Sequence, residues 1–178
     1  MNRPAHIPLD AIVGEPLGFE FVLPFSVAAL DREPLIELSP VRLSGRVSRI
    51  EAGLSLDARV VFTGRLECSR CLAGYPFALD EAFSLLLYRR AEAAPGEREI
   101  DREDLDLSYY DSETLPVAPI AEERIQLAIP MKPLCREDCL GLCPQCGQDR
   151  NVTPCNCRIE AVDPRWGALE ELRKAQKA

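Results

Sequence analysis

The stretch VRLSGRVSRI, Val41 to Ile50, followed after Glu51-Ala52-Gly53 by LSLDARVVFTGRL, Leu54 to Leu66, decides the fold. In the first segment Val41, Leu43, Gly45 and Val47 share one parity, and Arg42, Ser44, Arg46 and Ser48 share the other. In the second, Leu54, Leu56, Ala58, Val60, Phe62 and Leu66 alternate against Asp57, Arg59, Thr63 and Arg65, with Val61 breaking the polar side. A period of two sends successive side chains to opposite faces of a strand, so each segment has one face to bury and one to solvate. Glu51-Ala52-Gly53 fits a hairpin turn between them. A third segment, Tyr75 to Tyr88, places Phe77, Leu79, Phe83, Leu85 and Leu87 on one parity, interrupted by Glu81. Three such segments in succession predict an antiparallel meander with one buried face. Its second connection, Glu67 to Gly74, is a tight loop that carries Cys68 and Cys71.

Working outward, Phe19 to Pro24 (FEFVLP) reads as a short strand, Ala28 to Glu37 is ambiguous, and residues 1–18 read as a polar, Pro-containing lead-in. Downstream, residues 92–117 form an acidic, turn-rich excursion that folds back over the sheet. Residues 118–129 carry helical spacing, with Ala118, Ala121, Ile125, Ala128 and Ile129 near one face. Glu122 and Glu123 near the start suit the helix dipole, and Pro130 ends the helix. Residues 131–160 are cysteine-rich and otherwise weakly apolar. Asp163-Pro164 then opens a helix in the 161–178 tail, with Trp166, Leu169 and Leu172 as a short apolar stripe that reads as core packing. The expectation is an α+β chain. An antiparallel sheet or partly closed barrel over residues 19–130, with a few helices, leads to a C-terminal cysteine-rich, zinc-binding module.

Charge and cysteine usage narrow the function classes. The chain of 178 residues has a formal charge of -8, from 21 basic and 29 acidic residues. Residues 92–124 hold 11 acids and 3 bases, so this one stretch carries the whole excess. A strongly basic domain that coats nucleic acid by bulk charge is excluded, but local basic surfaces elsewhere are not. The N-terminus lacks the apolar run of a signal peptide, and no window approaches 18 apolar residues. A cytoplasmic location without membrane contact follows as the expectation. There, eight cysteines are reduced and metal-bound rather than disulfide-paired.

The cysteines fall in three clusters: Cys68 and Cys71; Cys135 and Cys139; and Cys143-Pro144-Gln145-Cys146-Gly147 followed by Cys155-Asn156-Cys157. Two residues between thiolates let both reach one ion about 2.3 Å away, and two such pairs complete a tetrahedron. Gly147 relaxes its turn and lets backbone N–H groups point at sulfur. The preferred grouping has Cys143, Cys146, Cys155 and Cys157 as a local site, with Cys68, Cys71, Cys135 and Cys139 as the second. Pairings can be exchanged, the close spacing of Cys155 and Cys157 allows a bystander sulfur, and one zinc ion or two fits the count. Iron–sulfur is the metal alternative. Full thiolate ligation leaves no open position for water, so a structural metal is favoured over a catalytic one. A thiol redox role for Cys68 and Cys71 lacks the helix that a thioredoxin-like motif wants after it, and Pro76 disfavours one.

Gly141-Leu142-Cys143-Pro144-Gln145-Cys146-Gly147, with Asn151 and Cys155-Asn156-Cys157, resembles the C-terminal signature of the bacterial YceD family, the large ribosomal RNA subunit accumulation proteins. Cys68-Ser69-Arg70-Cys71-Leu72 resembles its central motif. Asp106-Leu107, Glu122-Glu123, Leu127 to Pro130 and Pro133-Leu134-Cys135 resemble its linking region, and the likeness covers roughly residues 35–158. Arg150-Asn151 stands where the family usually has Leu-Asn. The resemblance implies a nonenzymatic role in large-subunit biogenesis, supporting 23S rRNA accumulation or processing. It also implies 23S rRNA or its precursor as a partner. The gene of a small basic large-subunit ribosomal protein commonly neighbours the family's, which makes that protein a second candidate partner.

Other candidates are weighed beside this reading. Arg42, Arg46, Arg59 and Arg65 lie at polar parities of two adjacent strands, where a sheet can present them to phosphate; the ordinary alternative is a solvated, acid-paired face. Arg70 lies in the first cysteine loop, and Arg136, Arg150 and Arg158 surround the C-terminal cysteines. Asp101, Glu103, Asp104 and Asp106 read as solvated surface, or as a contact for a basic protein. The lone His6 lies in an unanchored terminus and is no catalytic group. Two other functions compete: a zinc-stabilised protein–protein adaptor without RNA contact, and an enzyme, either a thiol redox protein or a nuclease using the clustered carboxylates.

Overall fold

The computed structural model describes residues 5–30, 33–51, 53–89 and 107–157. These residues form two compact units. One holds the described residues from 5 to 69 and from 73 to 135; the other holds 70–72 and 136–157. The first half of the acidic excursion, with Asp101, Glu103, Asp104 and Asp106, lies outside the described residues. So do Arg158 and the expected C-terminal helix with Trp166, Leu169 and Leu172.

The larger unit is mostly β. In chain order it comprises β1 (His6–Pro8), a 3-10 turn at Leu9–Ala11, β2 (Leu17–Leu23), a one-turn α1 (Val27–Leu30) and β3 (Leu35–Leu38). The meander follows as β4 (Val41–Ile50), β5 (Gly53–Glu67) and β6 (Gly74–Arg89), then β7 (Leu107–Tyr110), β8 (Thr114–Pro116) and α2 (Ala118–Ala128). The six-stranded sheet runs β2-β4-β5-β6-β7, with β3 added to β5. All pairs are antiparallel except β6 and β7. β1 and β8 make a separate two-stranded sheet. Among the described residues the sheet is open, with β2 and β7 at its edges, rather than a partly closed barrel.

The alternation quoted above is the reason for the meander. Leu54, Leu56, Val60, Phe62 and Leu66 of β5 are buried, as are Val41, Leu43 and Val47 of β4, while Asp57, Arg59, Thr63 and Arg65 face solvent. Each large aliphatic side chain buried this fully contributes roughly 1.5–3 kcal/mol of transfer free energy. The hairpin pairs Ile50 with Gly53, which fixes the register of the whole β4–β5 ladder. Gly45 lies on the core parity opposite Ala58, and a Cβ there would come 2.2 Å from the Asp57 carbonyl oxygen. Glycine is what lets the two backbones approach at that point.

Three expectations need correction. Residues 5–12 are part of the body rather than a polar lead-in: Ile7, Leu9 and Ile12 are buried in the same core, and Arg49 donates to the carbonyls of Leu9 (2.6 Å) and Ile12 (2.9 Å). The end of the excursion is ordered strand, since β7 extends the sheet beside β6 and β8 pairs with β1. In α2, Pro119 sits in the first turn, so the helix begins at Ala118 and Glu122 and Glu123 fall a turn inside it. The first turn therefore has no acidic residue, and α2 buries Ile120 beside Ala121 and Ile125. Val117 and Ile129 join the core at its ends.

The smaller unit has little regular structure and is built on turns. Leu142 and Asp149 form a single antiparallel bridge. The Cys143 N–H donates to the Gln148 carbonyl, and the Gly147 N–H donates back to the Cys143 carbonyl, both at 2.8 Å. Arg70 belongs to this unit, and its carbonyl accepts from the Leu142 N–H at 3.0 Å. Its guanidinium Nη1 donates to the carbonyls of Cys139 (2.8 Å) and Glu137 (3.2 Å).

Candidate metal centres

The eight thiols gather into two quartets, in the grouping that the spacing favours. Cys68, Cys71, Cys135 and Cys139 form one, and Cys143, Cys146, Cys155 and Cys157 the other; within each, all four sulfurs lie within 4.8 Å of one another. None of the eight is in a disulfide. Zinc bound tetrahedrally at about 2.3 Å from sulfur sets its ligands about 3.8 Å apart, a spacing that lies within the 4.8 Å limit of either quartet. The donor set is the soft, all-thiolate one that Zn2+ and iron–sulfur centres take.

Local backbone chemistry explains why these turns hold sulfur. At Cys143 the backbone N–H groups of Cys146 and Gln145 donate to the thiolate, holding it down at about 6. Hydrogen bonding to Cys143 pushes Cys155 up, and hydrogen bonding to Cys146 and Cys143 pushes Cys157 up to about 12. Four adjacent sulfurs cannot all ionise without a cation among them. Gly147, immediately after Cys146, adopts φ +72°, the left-handed conformation that the knuckle requires. Leu72 takes the equivalent place after Cys71 with φ +61°, the one non-glycine residue with positive φ among the described residues.

The quartets differ in shielding. In the first, Cys68, Cys71 and Cys139 are buried; in the second only Cys143 is, while Cys146 and Cys157 are exposed. The first quartet has neighbours that sequence spacing did not single out. Burial raises the Tyr75 phenol above its ordinary range, and the nearby charges of Cys68 and Cys135 raise it further. Asn151 donates from Nδ2 to the Cys139 sulfur at 3.4 Å. Its place between two cysteine pairs, in Asp149-Arg150-Asn151, was the available signal, since short Asx segments cap and brace turns.

The arginine candidates separate by environment. On the solvent face of the sheet, Arg59 holds Asp80 in a two-pronged ion pair (Nη2 to Oδ2, 2.7 Å), which keeps the Asp80 carboxyl below its usual range. Arg42 pairs with Glu20 at 3.7 Å and Arg65 with Glu37 at 3.9 Å. Arg46 is exposed and makes no ion pair among the described residues. In the smaller unit Arg70 braces the Cys139 loop, and Arg136 pairs with Asp138 and bonds Asn151. Arg150 is exposed there. No helix among the described residues is long and apolar enough to cross a membrane.

The family model described as large ribosomal RNA subunit accumulation protein YceD matches residues 56–173. The chain is 32% identical over 139 residues to an uncharacterised protein, YlbN, of Bacillus subtilis, covering 77% of this chain and 76% of that one. It is also 32% identical over 168 residues to an uncharacterised protein of Mycobacterium tuberculosis, with 82% and 79% covered. A plant relative from Arabidopsis thaliana is named large ribosomal RNA subunit accumulation protein YCED homolog 1, chloroplastic. It is 27% identical over 158 residues, which span 76% of this chain and 49% of the plant protein. No solved structure matches the chain.

Proposed function

Because the chain belongs to the YceD family of large ribosomal RNA subunit accumulation proteins, we propose that it is a nonenzymatic cytoplasmic factor in large-subunit biogenesis. Its folded surface, stapled by one or two zinc ions, binds 23S rRNA or its precursor, a ribosomal protein, or both. The observation that carries this reading is the pair of all-cysteine quartets inside the region of family likeness. Cys68, Cys71, Cys135 and Cys139 would hold one ion, and Cys143, Cys146, Cys155 and Cys157 the other. When bound, zinc supplies a structural crosslink and neutralises thiolate charge; four sulfurs leave no coordination position for a reacting water.

Depletion of the protein is expected to lower mature 23S rRNA relative to 16S rRNA, and the tagged protein is expected to cosediment with large-subunit precursor particles. Normal rRNA profiles together with no particle association would remove the proposal. Crosslinking separates the modes of contact, and the exposed Arg46 and Arg150 are the arginines to follow. Replacing either with Glu weakens RNA crosslinking if phosphate is the ligand.

A specific observation supports the adaptor as the second reading. Three of the four sheet-face arginines are matched with Glu20, Asp80 and Glu37, so that face offers mixed ion pairs rather than a basic platform. Salt-sensitive binding to a basic ribosomal protein without RNA crosslinks would favour it.

A further inference from the structure

We propose that Asn151 is a positioning residue that couples the two cysteine quartets, so that closing the second quartet organises a sulfur of the first. This rests on the reading of both quartets as metal sites.

The inference comes from one side chain with all its polar atoms assigned. Asn151 Oδ1 accepts from the Leu140 N–H and from Arg136 Nη2, both at 2.8 Å. Nδ2 donates to Asp149 Oδ1 at 2.7 Å and to Cys139 Sγ at 3.4 Å. A flipped amide would set its oxygen against a carboxylate and a sulfur, and its NH2 against two donors, so the network fixes the orientation. Asp149 Oδ1 also accepts from the Asn151 N–H at 2.9 Å, and Arg136 directly follows Cys135, a thiol of the first quartet. An N–H donor to a thiolate withdraws charge from the sulfur and sets its direction, the work outer hydrogen bonds do for metal ligands.

The coupling follows from where Asn151 stands in the chain. It lies in the segment 147–154, bounded by Cys146 on one side and Cys155 on the other, both members of the second quartet. The segment is lightly built: Arg150 N–H to Gly141 carbonyl at 3.0 Å, and the Val152 and Thr153 N–H groups to the Asp149 carbonyl at 3.2 and 3.0 Å. A cation drawing Cys143, Cys146, Cys155 and Cys157 together closes this loop at both ends and reduces the conformations open to Asn151. The N–H donor to Cys139 is then held in place before the first quartet takes its ion. The cost of ordering it has been met, which is positive cooperativity between sites.

Cadmium-113 as the sole added metal tests this on the full reduced chain, because each tetrathiolate site gives its own NMR resonance. The unaltered protein shows two resonances, and Cys157→Ser changes the one belonging to the second quartet. Asn151→Leu moves the other resonance and weakens that site about tenfold in chelator competition, within the range known for outer-shell partners. Asn151→Asp keeps acceptor oxygens for Leu140 and Arg136 but loses the donor to sulfur, so it weakens the same site. Cys157→Ser also weakens the first quartet severalfold in the unaltered chain, and not further in the Asn151→Leu background. Unchanged shift and affinity at the first site in both Asn151 variants would overturn the inference. So would an effect of Cys157→Ser that is the same with and without Asn151. If the unaltered protein gives no tetrathiolate resonance, the metal reading itself fails, a result distinct from either.

Discussion

Cys143 and Cys157 belong to the same quartet yet are driven in opposite directions. Backbone N–H groups hold Cys143 ionised near neutral pH, while hydrogen bonding to Cys143 keeps Cys155 protonated and hydrogen bonding to Cys146 and Cys143 keeps Cys157 protonated. A metal ion entering this quartet at pH 7 must therefore displace at least those two protons, and its affinity falls as pH falls. The expected slope is at least roughly a hundredfold per pH unit around neutrality, steepening below about pH 6 as the Cys143 proton joins. Chelator competition at several pH values measures it, and a flat profile would contradict the assignment. Arg70 makes a different residue-level case. Its Nη1 makes two bonds, to the Glu137 and Cys139 carbonyls, that brace the loop, so Arg70→Ala lowers unfolding stability by about 1 kcal/mol, and Arg70→Lys, whose side chain ends short of Nη1, restores it only in part. Denaturant titration of the metal-loaded protein checks both. Any loss of RNA binding in these variants has to be read against that loss of fold.

Among the elements, the β4–β5 hairpin is the most constrained. Its register brings the Gly45 backbone against Asp57 and Ala58, and Gly45→Val forces a Cβ into a space 2.2 Å from a carbonyl oxygen. The expected cost is roughly 2–4 kcal/mol, seen as a lower denaturation midpoint; a change below about 0.5 kcal/mol would mean that the strands part easily. This hairpin was legible in the sequence because its two faces differ in polarity from Val41 to Ser48 and again from Leu54 to Leu66, with Val61 the break on the polar side. β1 and β7 were not legible. His6-Ile7-Pro8 is too short to show a period, and Leu107-Ser-Tyr-Tyr110 sits against an acidic context that suggests solvent. Both become strands only because partners distant in sequence, β8 and β6, satisfy their backbone groups. The thiol pairs and the second quartet were legible because their ligand spacing is local, whereas the first quartet joins pairs more than 60 residues apart. The roles of the arginines were not: whether Arg59 meets phosphate or Asp80 depends on the cross-strand register of β5 and β6.

At the scale of the molecule, the larger unit has a continuous apolar core of its own, from Ile7 to Ile129. The described residues of the smaller unit have turns, one bridge and cysteines. Chelation under reducing conditions is therefore expected to release residues 136–157 first. Their amide hydrogens exchange rapidly, while β4, β5 and β6 stay protected. Simultaneous loss of protection in both would show that the sheet depends on the metal. The more exposed second quartet is also expected to give up its ion to a chelator sooner than the first. The composition of the first quartet carries a consequence for biosynthesis. Cys68 and Cys71 leave the ribosome about 70 residues before Cys139 does. At ordinary elongation rates that is roughly 4–14 s. For that interval the nascent chain carries a dithiol without its later partners, open to oxidation or to capture by a softer ion. The moment of greatest chemical vulnerability thus falls during translation, before the finished protein exists.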